Sequence, residues 1–259
     1  MNRLRNIVIC SLLVTMAGAA EAPQNTNHFK QYRSQAEGFN QLVLKAVDIV
    51  QSQAMDGGGY FIGIKADPPE SPICYELKLG DESLLKPARS SSYCSGASYA
   101  AFIEAANLYL KSKPRKISDQ QVEALRMQEP NGGRREDEIK AWGWWNADGF
   151  GCHFSLVQLM KAGERIAPKD AKPGDFMNIS WKSGIGHSVV FLKWETNADG
   201  KKGVKFWSSQ KGTNGLGDLW SSLDSIKHVC IVRCTKPENI FNFDPNGKVS
   251  RDVKGDKLD

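Results

Sequence analysis

Pro173-Gly174-Asp175-Phe176-Met177-Asn178-Ile179-Ser180-Trp181-Lys182-Ser183-Gly184-Ile185-Gly186-His187-Ser188-Val189-Val190-Phe191-Leu192-Lys193-Trp194 is the stretch on which the fold turns. Ahead of it, apolar residues recur mainly at helical spacing. From Pro173 onward they come in short β-branched and aromatic runs, 176–181, 187–194, 204–209 and 229–234, parted by turn residues such as Asn197-Ala198-Asp199-Gly200. The C-terminal half therefore reads as an antiparallel sheet and the whole chain as α+β.

Upstream, Phe39, Leu42, Val43, Ala46, Ile49 and Val50 mark an amphipathic helix over about 36–54, with Ser34 and Glu37 in capping-box positions. Gly57, Gly58 and Gly59 end it. Short strands at 60–64 and around 74–79 flank a proline-rich turn and are expected to pair as a hairpin. Ser90, Ser91 and Ser92 supply hydroxyls suited to capping the next helix, 94–111, which is apolar nearly all round and so is expected to be buried. Further helices at 118–127 and 152–162 bracket a tryptophan cluster, Trp142, Trp144 and Trp145, and form an insertion between the buried helix and the sheet.

At the N-terminus, Arg3 and Arg5 precede an apolar run from Ile7 to Val14 and the small residues Gly18, Ala19 and Ala20, the pattern of a secretory signal over 1–20. The run is too short for a membrane span, so no stable membrane insertion is expected once the signal is cleaved. Residues 21–35 read as a flexible leader, 36–244 as one domain and 245–259 as a polar tail. An exported protein is periplasmic or secreted. Loss of Arg3 and Arg5 lowers the formal charge from +5 to +3. With no long basic run, nucleic acid is not an indicated partner. The sequence is silent on oligomeric state.

Five cysteines follow the signal, Cys74, Cys94, Cys152, Cys230 and Cys234, an odd number that in an oxidising compartment suggests two disulfides and one free thiol. The free thiol is assigned to Cys94, in Ser92-Tyr93-Cys94-Ser95-Gly96 at the head of the buried helix. A helix N-terminus favours the thiolate and can receive a developing oxyanion. His187 opens an apolar strand, where an imidazole can take the thiol proton. Cys152 also opens a helix, but the adjacent His153 lies on another face, so Cys152 is assigned to a disulfide, with Cys74 as the suggested partner. His228, Cys230 and Cys234 share one strand face without a Cys-x-x-Cys pair, so a disulfide or buried thiols is expected there, with connectivity open, and neither a metal nor a cofactor is expected.

The order of Cys94-Ser95-Gly96, Pro173-Gly174-Asp175, then His187 ahead of an apolar strand resembles the NlpC-type and CHAP-type cell-wall cysteine peptidases of the papain-like superfamily, over about 93–234. The resemblance implies a nucleophile-bearing helix packed on a small antiparallel sheet. It implies Cys94 as nucleophile, His187 as base, and a polar residue on the following strand that orients the imidazole. Gln210 is the first choice and Ser208 the alternate. Tyr93, Ser95, Trp145 and Trp207 are the candidate substrate contacts. Tyr93 stands where NlpC-type peptidases often carry an aspartate that holds a stem-peptide amine, so that specificity does not transfer. The implied activity is amide hydrolysis in peptidoglycan or a related peptide. The alternatives are the same fold acting on a non-wall amide or ester, and a non-catalytic module that binds glycan or peptide along its tryptophans.

Overall fold

The computed structural model describes residues 24–61, 73–85, 91–126, 141–147 and 149–258. The signal at 1–20 lies outside them, as do 62–72 with most of the first strand expected there.

Helix α1 (His28–Tyr32) lies within the stretch read as a flexible leader, and it is packed, with His28 and Tyr32 buried. Helix α2 (Phe39–Ser52) buries Phe39, Val43, Leu44, Ala46, Val47 and Val50, the stripe that its periodicity requires. It begins later than the capping-box reading placed it. Gly38, at φ 55, turns the chain in with no side-chain cap, and Glu37 reaches instead to Lys172 Nζ at 2.7 Å.

The hairpin consists of β1 (Leu77–Leu79) and β2 (Glu82–Leu85), joined through Gly80 at φ 61. It does not use Tyr60, which instead makes an isolated parallel bridge to Ser92. Helix α3 (Cys94–Ser112) has Tyr93 as N-cap, without a side-chain cap. Of the serines expected to cap it, Ser90 lies outside the described residues and Ser92 is used otherwise, its Oγ donating to Ser209 Oγ at 2.8 Å. Helix α4 (Asp119–Leu125) carries a complete capping box between Ser118 and Gln121. Helix α5 (Ala141–Trp145) and a π-helix (His153–Leu159) complete the insertion.

The strands β3 (Gly163–Ile166), β4 (Phe176–Trp181), β5 (Gly186–Thr196), β6 (Lys202–Gln210), β7 (Gly215–Ser222) and β8 (Ile226–Cys234) form one antiparallel sheet in the order β3-β8-β4-β5-β6-β7. The chain is thus α+β. The sequence reading lacks β3 and β7. Gly215, Gly217 and three polar residues dilute the apolar signal of β7, and β3 holds only four residues.

Alternation along the strands gives the sheet two cores. Val190, Leu192, Trp207, Leu216, Cys230 and Val232 pack with α2 and α3. On the other face, Met177, Ile179, Val189, Phe191, Val204, Phe206, Val229 and Ile231 form a second cluster, which Leu258 helps to cover. The polar tail is therefore docked rather than frayed. Asp256 exchanges backbone hydrogen bonds with Val229, and its carboxylate meets Arg165 at 2.9 Å.

The Pro173-Gly174-Asp175 turn ties these layers together. Asp175 is fully buried, and its carboxylate accepts from Arg233 Nε and Nη2 (both 2.7 Å), Asn40 Nδ2 (2.7 Å) and the Lys172 backbone N–H (2.7 Å). Four donors around one carboxylate meet the requirement that a buried charge be paired. Among the described residues, no helix is long and apolar enough to cross a membrane.

All five described cysteines are free thiols, which overturns the expected disulfides. Cys152 Sγ contacts Asn178 Oδ1 at 2.7 Å and lies against Cys230, not Cys74. Cys234 is buried in the core shared by the helices and the sheet.

Candidate active site

Cys94 and His187, 93 positions apart in the chain, line one cleft of about 610 Å³ between the N-terminal end of α3 and the β4–β5 end of the sheet. The sulfur lies within reach of the backbone N–H of Ser188, next to His187 on β5. A run of hydroxyls holds the two elements in this register. Ser188 Oγ pairs with Ser98 Oγ at 2.6 Å, Ser98 Oγ accepts from Trp145 Nε1 at 2.9 Å, and Ser95 Oγ donates to Asn146 Oδ1 at 2.6 Å. Fixing helix to strand through buried, satisfied polar groups is a stiffer arrangement than apolar contact alone.

His187 sits between Trp181 and Phe206, with ring centroids at 6.2 and 5.6 Å. Behind it lies Gln210, only 6% exposed. The Gln210 amide nitrogen donates to Thr213 Oγ1 (2.6 Å) and to the Gly217 carbonyl (3.0 Å), which leaves Oε1 as the atom available to the imidazole. Oε1 makes no hydrogen bond of full geometry, yet Gln210 is close enough to favour the protonated ring.

Electrostatically, the site differs from the expectation of a thiolate stabilised in the resting state. Burial pushes the Cys94 thiol up from its ordinary value, outweighing the N–H groups of Ser188, Ser95 and Cys94 itself, which pull it down. Burial also pushes His187 down to about 4, against the nearby Gln210 amide, which favours the protonated ring. Across the neutral range the cleft thus holds a neutral thiol and a neutral imidazole. Tyr93 gives the first turn of α3 no side-chain cap, and its Cys94 and Ser95 N–H groups lie within reach of the Cys94 sulfur.

Of the other expected residues, Tyr93 and Ser95 do line the cleft, as does Trp145. Trp145 is nevertheless only 1% exposed and stacks on Phe102 at 5.1 Å, so it is chiefly a core residue that forms part of the wall. Trp207 is not a substrate contact. It points into the helical core, where its Nε1 donates to Gln51 Oε1 at 2.7 Å. Ser208 does not orient the imidazole either, because its hydroxyl donates to the Ser188 carbonyl at 2.7 Å.

No family model, curated protein or solved structure matches this chain.

The remaining cleft residues include several that the sequence reading missed. Tyr60, whose phenol is raised by burial and then by the charge of a thiolate at Cys94, also lines the cleft. Asn178, Ser180, Lys227 and His228 line the far end, and Ile185, 68% exposed, forms the rim. The signal for Tyr60 was the triple glycine before it. A Cβ at Gly57 would strike the Thr213 carbonyl, and one at Gly215 the Gly57 carbonyl, so this segment needs glycine to thread past the β6–β7 turn and deliver Tyr60 to the cleft. His228 is stacked on Phe150 (5.5 Å, 11°) beside the cleft.

Proposed function

We propose that this protein is an exported, papain-like cysteine hydrolase that cleaves an amide bond, in peptidoglycan or a related peptide. The observation that carries the reading is the convergence of Cys94, at the head of a buried helix, and His187, backed by Gln210, on one cleft. In this mechanism a ring nitrogen of His187 takes the Sγ proton as the sulfur attacks the substrate carbonyl carbon. The carbonyl oxygen, now an oxyanion, is received by the N–H groups of the first turn of α3. His187 then protonates the leaving amine, which departs and leaves an S-acyl enzyme. Water, giving its proton to His187, attacks the acyl carbon, the C–S bond breaks to release the acid, and His187 returns the proton to the sulfur. A neutral imidazole suits this sequence, because it can accept the proton at the moment of attack.

The test is digestion of purified peptidoglycan by the protein and by its Cys94→Ala form, with soluble fragments identified by mass. Fragments produced by the unaltered protein alone support the reading and name the bond. One observation favours a second reading, a non-catalytic glycan- or peptide-binding module: burial opposes charge on both Cys94 and His187. A Cys94 that resists alkylation by iodoacetamide between pH 5 and 9, together with absence of fragments, would decide for binding.

A further inference from the structure

We infer that His28 is a positioning residue for the Cys94–His187 pair, acting through Asp218, Gly217 and Gln210 from the far side of the sheet edge. This rests on the reading of Cys94 as nucleophile. His28 is fully buried, yet it carries a polar ring with a carboxylate at each end: Nδ1 lies 2.7 Å from Asp48 Oδ1 on α2, and Nε2 lies 2.7 Å from Asp218 Oδ1 on β7. Asp48 also accepts from the backbone N–H groups of His28 (2.8 Å) and Phe29 (3.0 Å). Asn25 Nδ2 donates to Asp218 Oδ2 at 3.3 Å, and Gln24 packs on Gly217 so closely that a Cβ there would meet its side-chain amide. The segment 24–32 is therefore pinned to the residue pair Gly217-Asp218. Gly217 supplies the carbonyl that holds the Gln210 amide nitrogen, and Gln210 faces His187. One short polar path thus joins the N-terminal segment to the catalytic base.

Two carboxylates on one imidazole require both ring nitrogens to donate, which only the cation can do. Burial alone would push His28 down, but its hydrogen bonds to Asp218 and Asp48 and their charge bring the net shift above its ordinary value. The other groups facing this clamp are Lys205 on β6, 3.4 Å from Asp218, and the Tyr32 hydroxyl on α1, buried without a partner and raised by burial, Asp218 and Glu195. The charge at the clamp is nearly balanced only while His28 is protonated, so the clamp is expected to loosen as pH rises.

The experiment is a double-mutant cycle on the rate of Cys94 alkylation by iodoacetamide, read at the Cys94 peptide by mass, combined with hydrogen exchange over 24–36 and 208–218. His28→Gln is expected to slow alkylation on the order of tenfold and to speed exchange in both segments. The pair His28→Gln, Gln210→Ala should be no slower than Gln210→Ala alone, since both act along one path. His28→Arg, a permanent cation with several donors, should restore the rate and make it insensitive to loosening at high pH. Multiplicative effects in the cycle, or a normal Cys94 rate in His28→Gln despite fast exchange at 24–36, would overturn the inference. Should His28→Gln not fold, Asp218→Asn replaces it in the cycle, because its amide oxygen still accepts from the imidazole. A Cys94 inert in the unaltered protein, together with absence of peptidoglycan fragments, would overturn the functional reading itself, which these outcomes separate from failure of the clamp.

Discussion

At the scale of single residues, the site divides into groups that face the cleft and groups that hold those. His187 and Cys94 belong to the first, and Gln210 to the second, since its amide is anchored at Thr213 and Gly217 and presents its oxygen to the ring. Gln210→Ala is expected to slow Cys94 alkylation on the order of tenfold by freeing the imidazole, whereas Ser208→Ala should leave the rate within about twofold, because its hydroxyl serves a strand carbonyl. The two share one strand face at period two, so sequence could narrow the third residue to this pair and no further. With His187 held down at about 4 by burial, the base is available above that pH. Hydrolysis should therefore appear as pH rises through about 4 and hold across neutrality, and a pH–rate profile checks this. An onset near 6.5, the ordinary histidine value, would show that His187 is not buried as described.

Elements place these residues where local sequence cannot. Helix α3 brings Cys94 to the cleft because its apolar circumference demands burial, and that much was legible from the run of alanines and aromatics. The Pro173-Gly174-Asp175 turn was legible as a boundary, but not as the anchor joining α2 to β8 through Asn40, Asp175 and Arg233. Asp175→Ala leaves Arg233 and Asn40 without their acceptor in the interior and should cost about 3–5 kcal/mol, measured by urea unfolding. Between β6 and α2, Trp207→Phe strands the Gln51 carbonyl oxygen and should cost about 1–3 kcal/mol without changing the Cys94 alkylation rate. A changed rate in that variant would return Trp207 to the cleft. The tryptophans were ambiguous in sequence because an aromatic cluster fits either a core or a wall, and only packing decides which face of each ring is covered.

On the scale of the whole molecule, two buried histidines oppose each other. His187, pushed down by burial, remains neutral in the folded chain while the unfolded chain takes up a proton, so stability falls as pH drops from about 6.5 toward 4. His28, raised by its carboxylates despite burial, contributes stability that is complete below 6.5 and is lost as pH rises through its folded value. A melting-temperature profile should therefore show a maximum with an acid and an alkaline arm, and His28→Gln should remove the histidine part of the alkaline one. The amino-acid sequence alone determined the α+β class, the buried helix behind Cys94 and four of the six sheet strands, and it singled out Cys94 and His187 as candidates, because periodicity and residue chemistry are local properties. It did not determine the free state of the thiols, the docking of the N-terminal segment and the tail, the different hydrogen-bond partners of Gln210 and Ser208 or the absence of charge on Cys94 and His187. Those depend on which groups lie within a few ångströms after distant segments pack, and on how much water that packing removes. Burial and partnership are properties of the folded chain, and only tertiary structure supplies them.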